Sequence, residues 1–422
     1  MHDRNLQDFE RAGGPHVPGI KKAMDGEPAL DGEICRGASA NETRAWTETH
    51  CRSIHREPGR VHGADGSFLA RASSVKPCAV LILCAILCLP ALPLAAAGDG
   101  AAGGTITFYQ ENDLYAGTDR DYTNGIKLSW VSPDLEQYRD DPRLPKWSHA
   151  LIDAMPFSEG EGFLRTVSLS VGQNIYTPDG IESHIPSPDD RPYAGISYLA
   201  LGFQSRNKRV MNSWEYTLGI IGPHSYAEDV QKAVHHLTHS DFPNGWEHQL
   251  RDEVILNVFY DRKWRFAGEN GSRNPSYDLI PHAGCSVGNA LTAVNAGIQL
   301  RYGWNLPNDF GTLPIRPGSD TNAPLDRDDP RLQGGSRGFS IHTFVSADVY
   351  AKLWDITLDG NFFRSGGPSV DKEPFVAQYA LGLGMIVGRF KITYAYVTGS
   401  REYETQKDRQ TYGTITVSYT FD

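Results

Sequence analysis

Cysteine is nearly absent where it could matter. Of six in 422 residues, Cys35 and Cys51 precede residue 75 and Cys78, Cys84 and Cys88 sit in one apolar run. Only Cys285 remains downstream, which excludes an internal disulfide there. An apolar stretch of the roughly 20 residues that a membrane-crossing helix needs is also missing. The best candidate, Cys78 to Leu94, is short and is crowded by Pro77, Pro90 and Pro93. Basic charge is in deficit, with 40 Lys and Arg against 51 Asp and Glu and a net charge of −11. That balance disfavours nucleic acid as a partner, because binding a phosphate backbone needs a basic footprint.

What is there begins with a change of composition. Residues 1–74 scatter Arg, His, Asp and Gly with almost no apolar periodicity, so they cannot build a core and read as disordered, or as an extension upstream of the true start. Methionine is missing between Met24 and Met155, and Val75-Lys76-Pro77 makes an ordinary start if Val75 is read from an alternative start codon. Arg71 and Lys76, the apolar run, and then Ala95-Ala96-Ala97 before Gly98 follow the order of a cleavable secretory signal, so residues 75–97 are assigned to it and 98–422 to the mature protein. Leu precedes both Cys84 and Cys88, which removes a lipid anchor at either.

From Thr105 onward apolar and polar residues alternate with period 2 between clusters of Gly, Asn, Asp and Pro. Near the C-terminus Ile415, Val417, Tyr419 and Phe421 fall on one face, and Thr414, Thr416, Ser418 and Thr420 on the other. The pattern recurs in Val167, Leu169 and Val171, and in Trp214, Tyr216, Leu218 and Ile220. Apolar on one face with small and polar residues on the other is the signature of a lipid-exposed barrel, and Trp130, Trp264, Trp304 and Tyr419 suit its interfacial girdles. The fold class is therefore all-β, a membrane-spanning antiparallel β-barrel of about 12 strands. They are predicted near 105–113, 122–132, 163–174, 193–205, 212–222, 249–264, 277–288, 292–304, 338–352, 376–387, 390–400 and 410–421. A further candidate at 355–363 is assigned to a turn, because an odd strand would separate the two chain ends. With periplasmic termini, 114–121, 175–192, 223–248, 289–291, 353–375 and 401–409 lie outside the cell, and chemistry is expected there. One of these loops holds Ala227, Val230, Val234 and Leu237 at helical spacing, which predicts a short helix capping the barrel mouth or wall.

Gln110-Glu111-Asn112-Asp113 and Asp119-Arg120-Asp121-Tyr122-Thr123-Asn124-Gly125 meet across the first hairpin. Their oxygens suit a hard cation such as calcium, although the spacing is not that of an EF-hand and solvated loop acids would look the same. On the helix Gln231 and His235 stand at i and i+4, on one face, where a neutral imidazole can deprotonate water. His235 and His239 have the spacing of a zinc protease, but His236 stands where its general-base Glu belongs. Gly334-Gly335-Ser336-Arg337-Gly338 matches a nucleophile elbow yet leads into a strand instead of a helix. Asp309-Phe310-Gly311 lacks every other kinase element.

Several ordered segments resemble the outer-membrane lipid A 3'-O-deacylase family over nearly all of 105–421. They are Glu111-Asn112-Asp113, Asp121-Tyr122-Thr123-Asn124-Gly125, Gln173-Asn174-Ile175-Tyr176-Thr177-Pro178, Asp190-Arg191-Pro192-Tyr193-Ala194-Gly195, Gly222-Pro223 with Gln231 and His235, and Gly288-Asn289. The resemblance implies a calcium-dependent carboxylic ester hydrolase in the outer membrane. It would remove a 3'-acyloxyacyl group from lipid A of lipopolysaccharide, with its site facing the outer leaflet and lipids around it. It implies His235 as general base, Asn112, Asp113, Thr123 and Gln231 as the polar and calcium-binding shell, and Asp241 as a further calcium ligand beside Asp113. The chain departs from the family where a basic pair is replaced by Ser183-His184, so either oxyanion stabilisation passes to calcium or to Arg191, or the activity is altered. Two alternatives stay open: an outer-membrane phospholipase using Ser225 or Ser240, and a non-enzymatic porin-like barrel.

Overall fold

The computed structural model describes residues 103–116, 121–138, 144–156, 162–238, 240–268 and 275–421. The segments assigned to the upstream extension and the signal, and His239, lie outside the described residues.

Twelve long strands form the wall: β1 Thr105–Asn112, β2 Asp121–Val131, β3 Leu164–Thr177, β4 Ala194–Arg206, β5 Val210–Ile221, β6 Glu253–Trp264, β7 Pro275–Gly288, β8 Leu291–Trp304, β9 Phe339–Asp355, β10 Phe375–Val387, β11 Phe390–Gly399 and β12 Thr411–Thr420. Phe266–Ala267 adds a two-residue extension paired with β7. Each strand pairs antiparallel with the next, and β1 pairs with β12, so the sheet closes with no free edge. Among the described residues three short α-helices accompany the wall: α1 Ser148–Ala154, α2 Ala227–Thr238 and α3 Ile356–Asp359. The last replaces the thirteenth strand candidate. Among the described residues no helix is long and apolar enough to cross a membrane.

The two faces of the wall follow the period-2 pattern. Leu256, Val294, Val345, Leu381 and Tyr419 point outward and are exposed, whereas Thr107, Ser129, Ser168, Gln299, Ser346 and Thr416 point inward and are buried. An exterior of bare Leu, Val and Tyr is stable only against lipid. Connections alternate between the two ends. At the end opposite the start of β1 and the finish of β12, the β7–β8 hairpin is pinned by Asn289, whose Oδ1 accepts from Leu256 N and whose Nδ2 donates to Val254 O and Glu253 Oε1.

The interior is filled, which the alternation did not foretell. Residues 305–338 leave β8 at the end where β1 starts and β12 finishes and fold back into the lumen, where 309–314 and 318–325 are buried. Asp320 accepts from Tyr109 Oη and Ser170 Oγ and pairs with Lys127 at 3.0 Å. Glu111 accepts from Ile315 N, Glu215 accepts from Gly318 N, and Arg316 pairs with Asp348 at 2.5 Å. Asp309, from the rejected kinase-like tripeptide, is gripped by Arg301, Arg331 and Lys391 at 2.5, 2.9 and 2.6 Å. Burial alone would raise the Asp309 carboxyl, but Lys391, Arg301 and Arg331 outweigh it and hold it well below the usual carboxylate range. A lumen crossed by this plug does not fit the open water-filled channel that a porin needs. The elbow-like glycines form a 3-10 turn, Gly335–Gly338, feeding β9, as a structural role requires.

Candidate active site

Strand parity places the first hairpin's polar residues on the outer face of the wall. Thr105, Thr107, Tyr109 and Glu111 of β1 point inward, so Asn112 points outward, and its register partner Asn124 does too. A bulge between Tyr122 and Asn124 turns Thr123 to the same side, where its hydroxyl meets that of Thr177 at 2.6 Å. On an open wall these groups would face lipid, yet Asn112, Thr123 and Ile175 are buried. The cover is α2, which lies on the wall and not across the barrel mouth.

The helix seats there for two reasons. Ala227 joins Ile175, Ile181, Tyr193 and Trp246 in one apolar cluster, with Val230 packed against it. Gly195 on β4 makes room: a Cβ there would lie 2.1 Å from that of Ala227 and 2.4 Å from Ser225 Oγ. The preceding Ser225 is consumed by structure. Its carbonyl accepts from Gln173 and Ser197, its Oγ accepts from Ala227 N at the helix start, and the residue is fully buried.

Beneath the helix a small cleft is lined by Asn112, Asp113, Leu114, Thr123, Asn124, Ile175, Val230, Gln231, Val234 and His235. Five of the six sequence-predicted site residues thus converge, from β1, the turn after it, β2 and α2. All are buried, with Asp113 at 0 % and Gln231 at 2 % exposure. Asp241 is not brought to the cleft; its side chain is exposed, but its main-chain carbonyl lies 2.6 Å from His235 Nδ1. A carbonyl only accepts, so Nδ1 carries a proton, which makes Nε2 the nitrogen that can act as a base. His236 is exposed and turned away, as the helical spacing predicts. Asn112 Oδ1 accepts from Leu114 N, and Asn112 Nδ2 donates to Asn124 Oδ1.

Among the described residues no three His, Cys, Asp or Glu side chains cluster as a metal site. The cleft offers one carboxylate, Asp113, with amide and hydroxyl oxygens from Asn112, Asn124 and Thr123. That oxygen set suits calcium, which accepts carboxylate, amide and water oxygens together.

Arg191 is elsewhere. It is buried in the barrel mouth, donates to Glu402 Oε2 at 3.1 Å and Thr357 Oγ1 at 3.3 Å, and stacks over Tyr176, so it does not supply the oxyanion charge expected of it. Burial opposes its charge, but Glu402 and Asp121 raise its pKa. Ser183 and His184 are exposed in the loop between β3 and β4. Sequence reasoning missed Trp246, which is fully buried and donates Nε1–H to Gln231 Oε1 at 2.7 Å. Its place after the Pro243-Asn244-Gly245 turn was the signal that could have found it.

The family model described as Outer membrane protein LpxR matches residues 80–421. A comparison with curated proteins gives no match. Among solved structures, LpxR from Salmonella typhimurium aligns with a TM-score of 0.59 at 15% identity, covering 75% of this chain and 100% of that one. The β domain of the Bordetella autotransporter Brka covers 76% of this chain and 99% of its own at 10% identity, but its TM-score of 0.34 is too low to carry an argument. The first likeness is one of fold.

Proposed function

Because the chain belongs to the LpxR family of outer membrane proteins, a family of lipid A deacylases, we propose that it hydrolyses the ester of a 3'-acyloxyacyl group of lipid A at the cleft beneath α2. Its substrate is an acyl chain of lipopolysaccharide in the outer leaflet. A cleft on the outside of the wall is reached sideways from that leaflet, which suits an ester that never leaves the membrane.

The observation that carries the reading is His235. Its Nδ1 proton is spent on the Asp241 carbonyl at 2.6 Å, so Nε2 is free to take a proton from water next to a buried carboxylate. The water oxygen attacks the ester carbonyl carbon as its proton passes to His235 Nε2. The carbonyl electron pair moves onto its oxygen, and collapse expels the sugar-lipid alkoxide, which recovers the proton from His235. No covalent acyl-enzyme is needed, in line with the structural employment of Ser225. Asp113 with the neutral oxygens of Asn112 and Thr123 would hold calcium, which when bound supplies positive charge to polarise the ester carbonyl. Asp241 then contributes through its backbone, orienting the base.

Mass spectrometry of lipid A from outer membranes with and without the protein tests this. The expected result is lipid A lighter by one acyloxyacyl group, with the free acid recovered. Identical lipid A in both, with the protein folded in the membrane, would reject the activity.

A further inference from the structure

The Gln231 amide is fixed one way round by a group that does not itself touch the cleft. An indole N–H can only donate, so the atom 2.7 Å from Trp246 Nε1 has to be the amide oxygen. Trp246 is fully buried in the apolar cluster behind the helix, with its ring 5.0 Å from that of Tyr193. It is not among the cleft residues, whereas Gln231 is. Gln231 Nε2 is therefore the end turned away from the indole, and it is buried with no hydrogen-bond partner. An unmatched buried donor carries a desolvation cost that an acceptor entering the cleft would offset.

We propose that Gln231 donates its Nε2 hydrogen to the ester carbonyl oxygen as that oxygen becomes an oxyanion, and that Trp246 is the positioning residue that holds the amide in this orientation. The proposal rests on the reading of the cleft as an ester-hydrolysing site. It changes the role that the family resemblance implies for Gln231. An amide ligates a cation through oxygen, and here the indole already takes one of that oxygen's two lone pairs and leaves Nε2 as the unmatched group. It also answers the missing basic pair: Ser183 and His184 are exposed, Arg191 is committed to Glu402, and a neutral donor stands in the cleft instead.

The test uses purified full-length protein with lipopolysaccharide in detergent micelles and measures released fatty acid, each variant being checked for folding by heat-modifiability. Gln231→Glu keeps an oxygen for Trp246 but presents an acceptor to the cleft, so kcat should fall on the order of 10²-fold or more, as when an oxyanion donor is removed. Calcium affinity, read by titration with calcium chloride, should not weaken in that variant. Trp246→Phe keeps a buried ring without the N–H and should lower kcat about tenfold with KM unchanged, and it should cause no further fall when added to Gln231→Ala. Full activity in Gln231→Glu, weakened calcium binding, or additive losses in the double variant would overturn the assignment. A folded wild-type protein that releases no acid would overturn the underlying function instead.

Discussion

Two buried polar clusters share this barrel, one in the lumen around Asp309 and one on the outer wall beneath α2, and they differ in how their polar atoms are matched. In the lumen, Asp309 meets Arg301, Arg331 and Lys391, while Asp278 takes a second face of Arg301 and also binds Arg265. On the wall, Gln231 keeps a donor without a partner, and the His235 ring is tethered at one nitrogen only. Burial is equal in the two places. Both oxygens of Asp309 and of Asp278 are engaged, so those carboxylates have nothing left to offer a substrate, whereas the cleft residues Gln231 and His235 do.

Breaking the lumen cluster should have the largest effect on stability. Asp309→Asn leaves three cations around a neutral amide and should cost about 3–5 kcal/mol, read as a lower urea midpoint for unfolding. Acyl release by the fraction still folded should be near normal. A loss of activity without a loss of stability would mean that the two regions are not separate.

A lysine on the lipid face tests the wall that carries both clusters. Val345→Lys should impair insertion by about 2–4 kcal/mol if it lies at mid-membrane, whereas Thr343→Lys, nearer the strand end, should cost less. Equal band shifts in a heat-modifiability gel would break the assigned depth.

Acid should loosen the lumen network. The folded Asp309 carboxyl titrates well below its unfolded value, near 3.9, so its contribution is present above that value and is lost as pH falls through the depressed folded pKa. Glu402 acts in the same direction: burial raises its carboxyl, but Lys352 and Arg191 outweigh this and lower it. The urea midpoint should therefore drop between about pH 5 and pH 2, and less steeply in Asp309→Asn.

The two regions were unequally legible in the sequence. The wall was readable because period 2 is imposed by a lipid exterior, and eleven of the twelve predicted strands start within about three residues of their observed positions. The exception, β6, starts at Glu253 because Trp246–His248 forms a 3-10 turn before it. β3 runs on to Thr177 and β9 to Asp355, where a bulge between Lys352 and Trp354 and the cover of other segments erase the alternation. The cleft was readable because the i, i+4 pair Gln231 and His235 and the hairpin residues Asn112, Asp113 and Thr123 carry polar groups where the pattern calls for apolar ones. The plug was not. Residues 305–338 have little regular structure, so no period marks them, and their partners lie far away in the chain on β1, β2, β5, β8 and β9. Trp246 was missed because its hydrogen bond crosses 15 residues through a loop, and only its place after the Pro243-Asn244-Gly245 turn marked it.

The smallest expected effect on the wall is that of His236→Ala, because this residue is exposed on the far side of α2; acyl release should stay within about twofold of wild type. The measurement that bears most directly on the account is the rate of fatty-acid release from lipopolysaccharide by purified His235→Ala, with folding confirmed by heat-modifiability. A normally inserted barrel whose rate falls on the order of 10² to 10⁴ is the expected result, the loss typical of a missing general base. A His235→Ala protein that releases acid at the wild-type rate would contradict the placement of the chemistry beneath α2.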